Sequence, residues 1–388
     1  MGKNFKLVAK TLYGFEDLLA TELAGLGALH IEKGTRVVRF EGDNGMMYKA
    51  NLGCRTAIKI LKPIHTFLVR NEQMLYDGIK KIDWTSYLSI ENTFAIDATV
   101  FSDYFNHSKY VALKSKDAIA DFFVEKTKER PNVDIERPDI RINIHIAQEQ
   151  CTVSLDSSGE SLHQRGYRLA TGQAPINEVL AAGLLMHAGW RGQSDFLDPM
   201  CGSATILIEA AMIACHIPAN IHRNYFACMD WPCWDETLFE KMKEILLKKT
   251  REFAFKMNGF EINKKVLEFA NQNIENAGLH EFIKLEQQDF FDSKKISEEP
   301  LFMLFNPPYD ERLEVDTEIF YASIGNTLKK NYPNSHAWLI TANLDALKHV
   351  GLKPSRKIMC YNGALEARLV KYEMYTGSKR TKFQEKDK

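Results

Sequence analysis

The chain has 388 residues, 45% of them hydrophobic and 26% charged, which is globular composition at a length that predicts two or three domains. Its formal net charge is −1, so any contact with nucleic acid must come from local basic patches rather than from an overall field. The seven cysteines form no CxxC pair, and their odd number argues against a disulfide framework. No apolar run is long enough to span a bilayer, and the N-terminus lacks a signal-peptide core. Together these features predict a cytoplasmic protein that does not bind membranes.

The first part of the chain mixes short strands and helices in the manner of an α+β protein. Alternation predicts a strand over Phe5–Thr11, and helical spacing predicts a helix from Phe15 to Gly27. Polar and apolar residues alternate again over 30–41, as in a strand, and a helix is expected around Asp43–Asn51. Further elements are expected in the segments 74–83, 93–100, 115–130 and 139–159.

From residue 174 onward, predicted strands and helices alternate along the chain, apart from a Pro/Trp-rich insertion over Pro218–Trp234. This alternation indicates a mostly parallel, doubly wound sheet. The last two strands flank Asn362-Gly363, a strong signal for a β-hairpin. The strands and helices are expected at 176–190, 195–198, 205–215, 255–261, 263–279, 282–289, 301–306, 336–343 and 357–375.

Four successive strands of this sheet end in residues that suit a nucleoside ligand. Asp198 opens a small-residue loop that runs through Cys201 and Gly202 into a helix, where a ligand can approach the backbone. Glu261 ends the second strand and could accept hydrogen bonds from ribose hydroxyls, and Asp289 and Phe290 end the third. Each feature alone is weak, since a strand-end acid is more often a helix cap and a phenylalanine more often core. Their order along the chain is what favours a nucleoside site.

The fourth strand ends in Asn306-Pro307-Pro308-Tyr309. The side-chain oxygen of Asn306 and the carbonyl of Pro307 can both accept hydrogen bonds from one NH₂ group, and the prolines stiffen the loop that carries them. Tyr309 could stack on a base that has left its own strand. The four strand ends together resemble the Rossmann-like S-adenosylmethionine-dependent methyltransferases, in whose amino-methylating members this motif holds the target base.

The resemblance extends to the front of the chain, through the segments "GFEDLLATELAGLGA", "SLDSSGESLHQRGYR" and "LDPMCGSATILIEAAMIA". The chain is similar to the THUMP-containing RNA guanine-N2 methyltransferases, and in particular to the first half of the bifunctional enzymes that act on 23S ribosomal RNA. The resemblance implies a ferredoxin-like domain at 1–65, a THUMP RNA-binding domain at 66–159, a linker at 160–173, a Rossmann-like catalytic domain with a mostly parallel seven-stranded sheet at 174–376, and a disordered tail at 377–388.

The same resemblance implies the site and the reaction. S-adenosylmethionine would be the methyl donor, no metal would take part, and the partner would be RNA, as ribosomal RNA or a pre-ribosomal particle. The residues implied are Asp198, Cys201 and Gly202 at the donor's methionine end, Glu261 at its ribose, Asp289 and Phe290 at its adenine, Asn306 to Tyr309 at the guanine, and Arg165 and Arg168 at RNA phosphates. Cys228 and Cys233 lack matching histidines, so we expect no zinc site.

Two residues depart from the family pattern and keep other functions open. Ala204 stands where relatives usually have glycine, which is tolerable if its backbone angles are helical, and Asp310 stands where glycine is common after the tyrosine. The alternatives are a transfer-RNA guanine-N2 methyltransferase, an adenine-N6 methyltransferase of DNA or RNA, and an inactive RNA-binding assembly factor. The chain contains no second methyltransferase domain, so a guanine-N7 activity is not implied.

Overall fold

The computed structural model describes residues 3–169, 175–308 and 316–375. Tyr309, Asp310 and the predicted tail at 377–388 lie outside these ranges. The strands are β1 (Phe5–Thr11), β2 (Leu29–Gly34), β3 (Val37–Gly42), β4 (Ala57–Leu68), β5 (Phe94–Phe101), β6 (Ile140–Ala147), β7 (Gln150–Asp156), β8 (Asp195–Asp198), β9 (Met257–Glu261), β10 (Ile283–Gln287), β11 (Leu301–Phe305), β12 (Ser335–Thr341), β13 (Arg356–Asn362) and β14 (Leu365–Met374). The helices are α1 (Glu16–Leu26), α2 (Asn44–Gly53), α3 (Glu72–Lys80), α4 (Ser108–Thr127), α5 (Glu178–Ala188), α6 (Thr205–Ala214), α7 (Glu236–Leu247), α8 (Lys264–Asn276) and α9 (Thr317–Asn331).

The chain divides into two compact units. The first comprises Met1–Thr11, Leu19–Leu162 and Arg223–Ile245, and the second comprises Leu12–Leu18, His163–His222 and Leu246–Lys388. The predicted insertion over Pro218–Trp234 is therefore divided, and most of it belongs to the first unit. Within the described ranges, no helix has both the length and the apolar character needed to cross a bilayer.

The first unit is built on one seven-stranded sheet in the order β2-β3-β1-β4-β7-β6-β5. Its strands pair antiparallel except for β5 and β6, which are parallel. Strand β4 pairs with β1 on one side and with β7 on the other. The domain boundary that the sequence predicts at 65/66 thus falls inside one strand, so the predicted ferredoxin-like and THUMP portions share a continuous sheet.

The second unit contains the predicted doubly wound sheet, in the order β10-β9-β8-β11-β12-β14-β13. Strands β8 to β12 are parallel, and β14 runs antiparallel to both β12 and β13. The α/β fold with a mostly parallel seven-stranded sheet is therefore confirmed. The predicted hairpin is also present, but Asn362 pairs with Leu365, so its loop is Gly363-Ala364, one residue later than expected. Gly363 has φ +65°, which glycine adopts without strain.

One helix of the second unit was not predicted from the sequence. Helix α9 packs on the sheet beside a buried cluster that includes Phe305, Tyr321 and Leu339. Its Gly325 would place a Cβ atom 1.7 Å from the Val350 carbonyl oxygen, so only glycine fits there. A glycine within a helix lowers helix propensity, which explains why the sequence pattern concealed this element.

Candidate active site

The carboxyl ends of β8, β9, β10 and β11 lie side by side and bound a cavity of about 750 Å³. Parallel neighbours bring their strand ends to one edge of the sheet, which is where open α/β sheets bind ligands. The predicted site residues that line this cavity are Asp198, Cys201, Gly202, Glu261, Asp289, Phe290, Asn306, Pro307 and Pro308. Arg165 and Arg168 are not among the lining residues.

The loop between β8 and α6 is held by its own backbone and by β9. The Met200 amide donates to Asp198 Oδ1 at 3.1 Å, and the Cys201 amide donates to the Phe260 carbonyl at 2.9 Å. The Gly202 amide donates to Glu261 Oε2 at 3.1 Å. A Cβ atom at Gly202 would meet nothing within 4 Å, so the backbone here faces open space. A bound molecule could therefore approach the loop backbone closely.

Ala204 does not have the helical backbone angles under which the sequence analysis expected an alanine to be tolerable. Its φ is +66° and its ψ is 20°, which places it in the left-handed region at the residue before α6. An alanine there costs roughly 1–2 kcal/mol because its Cβ crowds the carbonyl oxygen. Glycine adopts these angles without strain, so the backbone conformation accounts for the glycine that the resemblance implies at this position, and the alanine places strain in the loop.

The cavity is acidic. Its described lining includes three carboxylates, Asp198, Glu261 and Asp289, and no lysine or arginine. Burial and, less strongly, the charge of Glu261 raise the pKa of Asp198 to about 8. Burial and the same two carboxylates also raise the pKa of the Cys201 thiol well above its usual value, so this cysteine stays protonated. A protonated thiol is a poor nucleophile.

The end of β10 carries an acid and two aromatic rings. Asp289 Oδ1 accepts from the Phe291 amide at 2.8 Å and so begins a short 3₁₀ turn. Phe290 is 2% exposed, and its ring packs against those of Phe305 and Tyr332, so most of it belongs to the core. Phe291 is half-buried and lines the cavity as well.

Phe291 and Ile262 are among the apolar lining residues that the sequence did not assign to the site. Ile262 lines the cavity and is 64% exposed, directly after the acid that ends β9. The signal that the sequence offered was an apolar residue directly after an acid at a strand end. Together with Phe291, it gives the acidic cavity apolar surface on which a flat ring could rest.

Asn306 has a buried acceptor that is not hydrogen-bonded. Its Oδ1 atom is buried and has no hydrogen-bond partner among the described residues, although the residue lines the cavity. Pro307 beside it is buried, and Phe305 before it is fully buried in the core, which fixes the direction of the loop. An unsatisfied buried acceptor costs free energy unless a ligand or water completes it.

The two predicted RNA-binding arginines are directed into the protein. Arg165 is fully buried, and its guanidinium pairs with Glu209 at 3.2 Å and donates to Asn220 at 3.2 Å. The prediction of an RNA contact for Arg165 is therefore wrong in this structure, because no surface of the side chain is open to a phosphate. Arg168 is mostly buried and pairs with Glu178 at 2.7 Å. Within the described part of the predicted linker, Arg165 and Tyr167 are buried, whereas Gln164 and Leu169 are exposed.

Within the described ranges, no group of three or more His, Cys, Asp or Glu side chains is placed to hold a metal ion. All seven cysteines are free thiols.

Comparison with known proteins gives three family matches. Residues 165–371 match the RMKL-like methyltransferase domain, residues 69–156 match the THUMP domain, and residues 6–61 match the RlmL ferredoxin-like domain. The first of these covers more than half of the chain.

Individual relatives agree with these matches. The chain is 36% identical over 96% of its length to "Ribosomal RNA large subunit methyltransferase K/L" of Syntrophotalea carbinolica, and 38% identical over 93% to the protein of that name in Methylococcus capsulatus. It covers 54% and 50% of those proteins, so it spans about half the length of the curated relatives it matches. The crystal structure of SMU.472 in complex with SAH superposes with a TM-score of 0.85 at 28% identity, over 97% of this chain and 100% of that one. The chain therefore belongs to the RMKL-like methyltransferase family, and THUMP and RlmL-type ferredoxin-like domains precede its methyltransferase domain in the sequence.

Proposed function

We propose that this protein transfers a methyl group from S-adenosylmethionine to the N2 amine of a guanine in RNA, with 23S ribosomal RNA as the substrate. The observation that carries the proposal is the Oδ1 atom of Asn306, which is buried in the same cavity as the three acids and has no hydrogen-bond partner among the residues that the structure describes. An acceptor held without a partner in a ligand cavity suits a substrate that brings an N–H donor.

The cavity fits the donor by charge and by hydrogen bonding. S-adenosylmethionine brings an electrophilic methyl group on a sulfonium cation, and the acidic side chains of Glu261 and Asp289 would attract this positive charge when the donor binds. Glu261 uses its two oxygens for the Gly202 and Asn263 amides, and each oxygen keeps a lone pair for a ribose hydroxyl. The open space beside Gly202 admits the methionine end, and Phe291 and Ile262 offer apolar surface to the adenine. The related SMU.472 was crystallised with SAH, which supports the same choice of donor here.

The residues of β11 would prepare the amine for attack. The lone pair of an exocyclic amine is delocalised into the base, so it must be drawn out before it can react. Asn306 Oδ1 and the Pro307 carbonyl would accept the two N–H groups and draw the nitrogen toward tetrahedral geometry. The nitrogen would then form the new C–N bond as the donor's S–CH₃ bond breaks, its surplus proton would leave to solvent, and S-adenosylhomocysteine would be released. Rate enhancement would come from positioning, and Tyr309 would stack on the base.

The choice of RNA rests on the domains in front of the catalytic unit and on the relatives. A THUMP domain accompanies the catalytic domain here, and the curated relatives are named for large-subunit ribosomal RNA. The target base would be unpaired, because RNA recognition relies on unstacked bases. The seven free thiols suit a reducing cytoplasmic setting.

The deciding experiment supplies labelled S-adenosylmethionine with unmodified 23S ribosomal RNA, transfer RNA and duplex DNA in parallel, and identifies the labelled nucleoside after digestion. N2-methylguanosine in ribosomal RNA is the expected product. The same nucleoside in transfer RNA would move the substrate and keep the chemistry, whereas N6-methyladenine would overturn the base assignment. Donor binding without transfer to naked RNA would call for a repeat with pre-ribosomal particles. A protein that binds no donor at all would be an inactive assembly factor.

A further inference from the structure

We propose that Arg168 is a positioning residue that holds the donor-binding loop in its binding conformation. The inference rests on the proposed use of S-adenosylmethionine and gives Arg168 a role other than the RNA contact suggested by the sequence. Arg168 is not among the residues that line the cavity, so it would act through the loop rather than through the donor.

One guanidinium joins two segments of the cavity wall. Nη1 donates to Ser203 Oγ at 3.1 Å and Nη2 donates to Thr205 Oγ1 at 2.9 Å, on either side of Ala204. Nε donates to Glu178 Oε1 at 2.7 Å, and Nη2 also reaches the Ile176 carbonyl at 3.4 Å. Ile176, Ser203 and Thr205 all line the cavity. A single side chain therefore fixes the spacing between the β8–α6 loop and the segment that leads into α5.

The loop needs such a support because its backbone is strained. Ala204 is a non-glycine residue with a φ of +66°, and α6 begins without a side-chain cap. A strained backbone conformation persists only where the surrounding structure over-determines it. Arg168 supplies this restraint from one side, and on the other side Asn273 Nδ2 donates to the Ser203 carbonyl at 3.2 Å.

The contacts also favour arginine over any other cation. Charged hydrogen bonds in mostly buried surroundings are the strong ones, and the side chains of Arg168 and Glu178 are only 16% and 5% exposed. A lysine would keep the positive charge, but its point-like ammonium cannot span Glu178, Ser203 and Thr205 at once. A phosphate-contacting arginine would instead leave most of its guanidinium in solvent.

The test compares Arg168→Gln with Arg251→Gln. Arg251 provides a matched control because it anchors the opposite end of α6, donating from Nε to the Ala214 carbonyl at 2.7 Å, and does not line the cavity. Isothermal titration with S-adenosylhomocysteine should give about tenfold weaker binding for Arg168→Gln, the effect of losing charge-assisted hydrogen bonds. Arg251→Gln should bind within about twofold of wild type. RNA affinity should be equal in both variants.

A second measurement examines the loop without donor. Amide hydrogen exchange of residues 198–208 should be faster in Arg168→Gln than in Arg251→Gln. Adding Ala204→Gly to Arg168→Gln should restore most of the lost affinity, because glycine removes the strain that the arginine restrains. Unchanged exchange in Arg168→Gln, or equal loss of donor affinity in both arginine variants, would overturn the inference. Should wild type bind no donor, the proposed function fails, and the exchange data still decide whether Arg168 holds the loop. Arg168→Lys repeats both measurements if the glutamine variant does not fold.

Discussion

Replacing Ala204 by glycine should reveal the strain in the loop before α6. Ala204 is fully buried with φ +66°, whereas Ala211 is fully buried in the middle of the same helix. Each alanine-to-glycine change removes one buried methyl group, and each adds the same freedom to the unfolded chain. These two costs cancel when the stabilities of the two variants are compared. The difference in stability then reports the backbone conformation at the two positions.

The size of the difference follows from the left-handed conformation. An alanine in the left-handed region carries roughly 1–2 kcal/mol of strain that glycine lacks, whereas glycine within a helix loses stability relative to alanine. Ala204→Gly should therefore leave the second unit more stable than Ala211→Gly does by at least about 1–2 kcal/mol. For a unit of this size, 1 kcal/mol shifts the Tm by roughly 2–4 °C.

Differential scanning calorimetry on the full chain measures the two Tm values, and amide exchange of α6 assigns the transition of the second unit. Circular dichroism at 25 °C checks that both variants are folded. If Ala204→Gly destabilises the protein as much as Ala211→Gly does, the strain at Ala204 is refuted, and the explanation of the family's glycine at this position is refuted with it.

Three further predictions address the site and its surroundings. Asn306→Ala should abolish methyl transfer and retain donor affinity, whereas Glu261→Ala should weaken donor binding. Titration measures donor affinity and single-turnover assays measure methyl transfer. A loss of both properties in both variants would contradict the separate roles. Burial raises the folded pKa of Asp198 from 3.8 to about 8, so ionisation disfavours the folded state as pH rises between these values. Asp198→Asn should thus be more stable than wild type near about pH 9 and lose that advantage toward about pH 5, in thermal melts; a pH-independent difference would argue against the raised pKa. Arg165→Met leaves Glu209 buried without its cation and should lower the free energy of unfolding by about 3–5 kcal/mol. Filter binding should show unchanged RNA affinity for the folded variant. Weaker RNA binding at unchanged stability would support an RNA contact of Arg165 after all.

The elements with strong periodicity were predictable from the sequence, and some to the residue. The strand predicted over Phe5–Thr11 is β1, and the strand predicted over 195–198 is β8. Alternation and helical spacing are local properties that burial of one face imposes. Helix α9 was not predicted because its Gly325 weakens the local helical pattern. That glycine is required by the close approach of the Val350 carbonyl, which is distant in sequence.

The order of the site was also contained in the sequence. Asp198 and Glu261 are the last residues of β8 and β9, Asn306 directly follows β11, and Asp289 lies two residues beyond β10. Parallel strands bring their carboxyl ends to one edge of a sheet. Recognising alternating strands and helices was therefore enough to expect these four groups around one cavity. The strand register was not needed to predict that these groups lie at the same edge of the sheet.

Tertiary structure alone decided which charges are open to solvent and which backbone angles are strained. Arg165 occurs in a polar segment but is buried against Glu209 from α6, and the positive φ of Ala204 cannot be read from its residue type. The predicted boundary at 65/66 fell inside β4 because both neighbours of that strand come from far along the chain. Solvent access, backbone strain and strand partnership all depend on residues distant in sequence, whereas a periodic pattern reports only on its own segment.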